Sequence, residues 1–150
     1  MLINLRHQQK PSNIGRIWET ESIQIFEKNG CMVEDVATKK LPYDLIVDGK
    51  KIQCKALRLK PNSTLLRIGK GGTGSCLGYQ VKDFDYLMLQ VIDISEWFCV
   101  PINCIPRHPK NNNQITYQFS YKKILPFKKC IFTNDFTQKI CQQMTLSLCD

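Results

Sequence analysis

Residues Pro42 to Arg58 read PYDLIVDGKKIQCKALR, two short apolar runs that meet at Asp48-Gly49. Asp-Gly between apolar runs is a strong hairpin signal, because a type I′ turn needs positive φ at both central residues. A two-residue loop there pairs Val47 with Lys50, Leu45 with Ile52 and Asp44 with Gln53. Strand side chains alternate between faces. One face then carries Leu45, Val47, Ile52, Cys54 and Ala56, which suits a core. The other carries Asp44, Ile46, Asp48, Lys51, Gln53 and Lys55, so that a carboxylate, an amide and an ammonium lie together. Sliding the turn to Gly49-Lys50 preserves this parity.

Around this hairpin the chain has 150 residues and 43% hydrophobic content, which is one domain's worth with enough apolar side chains for a core. The formal net charge is +8 and the pI about 9.1. That excess points to a polyanion partner, nucleic acid before an anionic membrane, with a solvated basic surface as the plainer alternative. No apolar run nears the ~20 residues that span a bilayer. The opening MLINLRHQQKPSN lacks the apolar core of a signal peptide. The eight cysteines are scattered through apolar segments. Cys31, Cys54, Cys99 and Cys130 read as small buried hydrophobes in a reducing cytoplasm rather than as a disulfide framework. Structural zinc is not expected, because no C-x-x-C occurs and His7 and His108 stand isolated.

Before the hairpin, a polar arm of about a dozen residues precedes a helix from Ile14 to Asn29. Ser12 or Asn13 is the candidate cap and Gly30 the terminator. Ile14, Ile17, Trp18, Ile25 and Phe26 recur at helical spacing, and Glu19 lies among them. Cys31 to Ala37 reads as a short strand, and Thr38 to Pro42 as a basic connection. After the hairpin, Leu59 to Gly78 is rich in Gly, Lys and Arg. Its Gly71-Gly72-Thr73-Gly74 has no Gly-Lys-Ser/Thr after a spacer, so no nucleotide cofactor is expected. Asp85 to Asp93 and Ser95 to Val100 read as a second hairpin packed on the first. Ile102 to Asn113 reads as loop. Gln114 to Tyr121 reads as a strand with Tyr117, Phe119 and Tyr121 on one face. Thr133 to Met144 reads as a helix with Phe136, Ile140 and Met144 in one stripe.

Asp44-x8-Gln53-x-Lys55, following a helix that carries Glu19, resembles the PD-(D/E)XK nuclease superfamily. Pro42-Tyr43-Asp44 stands at the P-D with one residue inserted, and Gln53-Cys54-Lys55 stands at (D/E)-x-K with Gln in place of the acid. Gly15-Arg16-Ile17-Trp18-Glu19 followed by Gly30 is similar to the G-x3-E…G that opens Holliday-junction resolvases and related small nucleases. Ile52-Gln53-Cys54-Lys55 most resembles homing endonucleases encoded by group I introns of cyanobacteria, as do the length and Trp97-Phe98-Cys99-Val100-Pro101. The resemblance is clear from about Ile14 to Pro101.

The resemblance implies an α/β fold, a restriction-endonuclease-like mixed sheet flanked by helices. It implies one nuclease domain over 1–150, with a core at about 14–101 and a DNA-binding or oligomerisation extension at about 102–150. The implied activity is site-specific double-strand cleavage of a long DNA target, with Mg²⁺ as cofactor and Mn²⁺ as a substitute. Catalytic positions would be Glu19, Asp44, Gln53 and Lys55. Metal would be held by Glu19, Asp44 and the backbone carbonyl of Cys54. Mg²⁺ takes hard oxygen ligands and keeps several waters, so two carboxylates can suffice. Lys55 would orient the attacking water and stabilise phosphate charge, remaining protonated beside the carboxylates. Gln53 brings no charge, but its amide can accept, ligate or hold a water. Without the resemblance, the same trio reads as an exposed polar strand face with one ion pair.

Candidate DNA contacts are Lys39, Lys40, Lys51, Arg58, Lys60, Arg67 and Lys70, with Arg107 and Lys110 from the later loop. One site cuts one strand, so a homo-oligomer is expected, a dimer at least and a tetramer as the larger option. Its expected surfaces are the C-terminal helix and the face of Tyr117 and Phe119. Two other readings stay open: a structure-specific junction resolvase, and a non-catalytic DNA-binding protein in which Gln53 marks a decayed site.

Overall fold

A computed structural model describes residues 11–69 and 78–129. The N-terminal arm, Lys70 with the glycine run at 71–74, Cys130 and the expected helix at Thr133–Met144 lie outside the described residues. Helix α1 spans Pro11–Lys28, followed by strands β1 (Val33–Asp35), β2 (Leu45–Val47) and β3 (Lys50–Leu57). Then come β4 (Leu65–Arg67), β5 (Tyr86–Val91), β6 (Glu96–Pro101), β7 (Arg107–His108), β8 (Asn111–Ile115), β9 (Gln118–Ser120) and β10 (Lys128–Lys129). A six-stranded sheet runs in the order β1-β2-β3-β5-β6-β10. Only β3 and β5 pair in parallel within it, joined by the long crossover that parallel neighbours require. The pairs β4–β9 and β7–β8 form separate ribbons.

The central hairpin forms in the expected register, with Val47 opposite Lys50 and Leu45 opposite Ile52. Asp48 and Gly49 take φ of 47° and 81°, as a type I′ turn demands. Asp48 also pins the turn to the start of β1. Its Oδ1 accepts the Met32 amide at 2.9 Å, and its own amide donates to the Met32 carbonyl at 2.9 Å.

Both sheet faces are covered. On one, α1 lays Trp18 and Phe26 over Leu45, Val47, Ile52, Cys54, Tyr86, Met88, Trp97 and Cys99. Trp18 meets Trp97 edge to face, with ring centroids 6.1 Å apart. The helix ends in a Schellman arrangement, with the Cys31 amide on the Phe26 carbonyl, the Gly30 amide on the Glu27 carbonyl, and Gly30 at φ 82°. On the other face, Leu87, Leu89, Val91, Phe98 and Val100 pack against Leu66, Ile68, Tyr79, Phe84, Ile105, Ile115, Phe119 and Ile124. Those covering residues come from the crossover and the segment after β6, which the sequence reading takes mostly as loop.

Several expectations need correction. Helix α1 already includes Pro11, so Ser12 and Asn13 lie within it instead of capping it; proline's fixed φ suits a first helical turn. Cys31–Ala37 contributes only three strand residues before a 3₁₀ turn at Ala37–Lys39. The stretch from Ile102 to Tyr121 divides into β7, β8 and β9, because Asn111–Ile115 runs as strand and the chain turns between Ile115 and Gln118. Phe119 is 4% exposed in this chain's own core, so it is not a subunit-interface residue. Helices do not flank both faces among the described residues; β-ribbons and 3₁₀ turns cover the second.

Candidate active site

The site forms in the notch just ahead of β2, where β3 continues. The Asp44 amide makes the last ladder bond, to the Ile52 carbonyl at 2.9 Å. Beyond it, Pro42 has no amide hydrogen and cannot extend the ladder. The freed edge of β3 is met instead by a side chain, as Asp44 Oδ2 accepts the Cys54 amide at 3.0 Å. In an extended strand the N–H and C=O of one residue point to the same edge, so the Cys54 carbonyl faces this notch too. Thus the Pro-x-Asp sequence both sets where β2 begins and seats a carboxylate at the exposed edge of β3.

Lys55 extends from β3 and interacts electrostatically with Asp44. Its Nζ lies 5.6 Å from the ring centroid of Tyr79, a contact that spreads the ammonium charge over an aromatic face. Glu19 comes from α1, whose neighbouring Trp18 is anchored in the first core. Its charge acts on both Asp44 and Lys55. Three of the four expected catalytic side chains therefore share one electrostatic environment. Burial pushes the Asp44 carboxyl up to about 6, with Glu19 adding to the rise and the Cys54 amide and Lys55 opposing it. Burial pulls the Lys55 ammonium below its ordinary value, against the pull of Asp44 and Glu19. Burial thus works against the carboxylate neighbours that favour the ammonium.

Gln53 lies opposite Leu87, on the face that the second core covers, and is 6% exposed. Its Nε2 donates to the Cys54 carbonyl at 3.4 Å, a long bond. The neighbouring Cys54 thiol is buried in the helix-side core, and burial pushes it well above its ordinary range, so it is inert as a thiolate.

Among the described residues, no three Cys, His, Asp or Glu side chains gather as a ready metal cage. The donors at the notch are the carboxylates of Glu19 and Asp44 and the Cys54 carbonyl. All are hard oxygens, and the Glu19 charge raises the proton affinity of Asp44. This donor set fits Mg²⁺, which retains waters, better than it fits zinc.

Two residues at the site escaped the sequence reading. Arg16 bonds Glu19 Oε2 at 2.9 Å and Asp35 Oδ2 at 2.6 Å, tying α1 to β1 and fixing Glu19. Its i,i+3 spacing from Glu19 was a legible signal. Tyr79 carried none, since only the fold brings it to Lys55.

The basic candidates scatter. Lys39 pairs with Glu34 at 3.5 Å and Arg58 with Asp93 at 3.6 Å. Lys51 lies 5.5 Å from the Tyr43 ring centroid, beside the hairpin. Lys40, Arg67 and Lys110 are exposed and Lys60 is half-buried. Arg107 is half-buried, its Nη2 donating to Asn103 at 3.1 Å and its Nη1 enclosed, which ill suits a DNA contact. No helix among the described residues is long and apolar enough to cross a membrane.

The arrangement is that of a mixed-sheet α/β fold with a polar notch at the edge of its central hairpin. The bacterial homing endonuclease I-Ssp6803I has a similar structure: TM-score 0.53 over 63% of this chain and 71% of that one, at 20% identity. No protein-family model matches the chain, and no curated protein does.

Proposed function

We propose that the chain is a PD-(D/E)XK-type endonuclease that hydrolyses DNA phosphodiesters, acting as a site-specific homing enzyme on a long duplex target. The observation that carries this reading is the notch itself. Asp44 accepts the Cys54 amide at the free edge of β3, and Lys55 and Glu19 both act on it electrostatically. The shared fold with I-Ssp6803I supports it.

In this reading Glu19, Asp44 and the Cys54 carbonyl hold Mg²⁺ or Mn²⁺, with Arg16 steadying Glu19. The ion supplies charge neutralisation at the phosphate and a water of lowered pKa. Lys55, backed by Tyr79, donates to the phosphate or to the attacking water and stabilises the charge that develops. Gln53 is held by the strand and by its contact to Cys54, so its amide can order the carbonyl edge without adding charge. Removing one carboxylate in this way lowers the repulsion that the cation must offset and also lowers its electrostatic attraction. A homo-oligomer supplies the second site that a double-strand break needs.

The test is cleavage of duplex DNA with Mg²⁺ or Mn²⁺ by Asp44→Asn and Lys55→Ala, each against wild type. Cleavage is lost in both while DNA binding survives. Wild-type protein that binds DNA and never cuts it would favour the binding-only alternative, with Gln53 as the lesion. Cutting confined to branched DNA, without sequence preference, would favour a junction resolvase.

A further inference from the structure

The ribbon β7–β8 has an irregular register. Arg107 lies opposite Ile115, whereas the next residue, His108, lies opposite Asn111. Asn112, Asn113 and Gln114 therefore bulge away from β7. The bulge is held from behind by the segment after Gly78. The Val81 amide donates to the Asn113 carbonyl at 2.8 Å, Gln80 bridges to Gln114, and the Ile115 amide donates to the Tyr79 carbonyl at 2.9 Å. Gly78 lies so close that a Cβ there would stand 2.6 Å from Gln114 Nε2. Tyr79 is also the residue whose ring lies against the Lys55 ammonium. The bulge is thus linked through Tyr79 to Lys55 of the proposed nuclease site.

Its outer side is polar and open. Pro109, Lys110, Asn111, Asn112 and Asn113 are all exposed. Asn111 Oδ1 accepts the Asn113 amide at 3.0 Å, which fixes the local turn. Among the described residues nothing engages the side-chain amides of Asn112 or Asn113. A two-stranded ribbon fits the major groove of B-DNA, and an asparagine amide matches adenine N6 and N7 bidentately. Bulges beside active sites commonly serve to re-aim side chains. Lys110, at the ribbon tip, is placed for a phosphate.

We propose that the β7–β8 bulge is a base-reading element, with the amides of Asn112 and Asn113 selecting adenine in the major groove next to the scissile phosphate. This rests on the endonuclease reading, which sets the identity of the partner. The test is a selection from a random-sequence duplex library by the full-length protein, for binding with Ca²⁺ and for cut ends with Mg²⁺. Asn112→Ala, Asn113→Ala, the double variant and Lys110→Ala are each compared with wild type. Both asparagines are exposed, and circular dichroism checks that each variant is folded.

The expected result is loss of adenine preference by about 5- to 150-fold at one or two positions near the cut, with binding to unselected duplex unchanged. Lys110→Ala instead weakens all sequences alike and flattens the salt dependence. Asparagine variants that keep the wild-type consensus, or that lose affinity uniformly for every sequence, overturn the proposal. So does a wild-type protein that binds without sequence preference. If wild type selects a consensus with Ca²⁺ but yields no ends with Mg²⁺, the endonuclease reading fails and the base-reading assignment is judged on the binding selection alone.

Discussion

Replacing Asp44 by Asn should make the metal-free protein more stable while abolishing cleavage. The folded state raises the Asp44 carboxyl from 3.8 to about 6, chiefly through burial. Between those two pH values the folded protein retains a proton that the unfolded chain has released, so stability falls as pH rises through the window and levels off above it. A shift of about two units corresponds to about 3 kcal/mol at most. Asp44 keeps some contact with water, and its bond from the Cys54 amide is stronger to a carboxylate than to an amide, so the net gain for Asn is nearer 1–2 kcal/mol. Thermal unfolding in EDTA at pH 8 should then show a Tm higher by about 3–8 °C in Asp44→Asn. The advantage should shrink towards pH 4, where the wild-type carboxyl is itself protonated. A variant less stable than wild type at pH 8, or an advantage that does not change with pH, refutes the idea that Asp44 is a buried carboxylate held at a cost for function.

Three further outcomes follow from packing. Gly78→Ala places a methyl 2.8 Å from the Ile115 carbonyl and against Gln114, and backbone cannot swing aside. The loss is about 1–3 kcal/mol, read from the urea midpoint at unchanged slope. Phe26→Ala empties a fully buried position in the helix-side core and should cost about 3–5 kcal/mol by the same measurement. Tyr79→Leu keeps apolar volume but removes the ring against Lys55. We expect kcat to fall about 100-fold in a protein that still binds duplex DNA, from misplacement of the ammonium alone.

The central hairpin was legible because its determinants are local: Asp48-Gly49 sets the turn, and alternation then decides which residues share a face. The helix that carries Glu19 was legible too, since helical spacing and Gly30 bound it. Alternation along the hairpin marks one core face only. The second core, built on Leu87, Leu89 and Phe98, lies on the side that Gln53 faces, and nothing in the hairpin's own sequence reveals it. Its cover comes from Leu66, Ile68, Tyr79 and Ile115, which lie in segments rich in Gly, Pro and Asn. Their strand pairings are short and long-range, such as Leu66 with Phe119, and leave little periodicity to read. The split of Gln114–Tyr121 at the turn after Ile115 failed to register for the same reason. Tyr79 has no motif at all and matters only because the fold sets its ring against Lys55. Arg107 shows what charge alone leaves out: its Nη1 is enclosed and its Nη2 donates to Asn103, neither of which the sequence reveals.

The central claim is that Glu19, Asp44, Gln53 and Lys55 form a hydrolytic site for DNA. Its most direct test is to incubate full-length protein with a random-sequence duplex library and Mg²⁺, then sequence the new ends on both strands. The account predicts paired breaks at a fixed offset within a consensus for wild type, and none for Asp44→Asn or Lys55→Ala. Breaks made equally well by Asp44→Asn, or DNA bound by wild type but left intact with both Mg²⁺ and Mn²⁺, would contradict it.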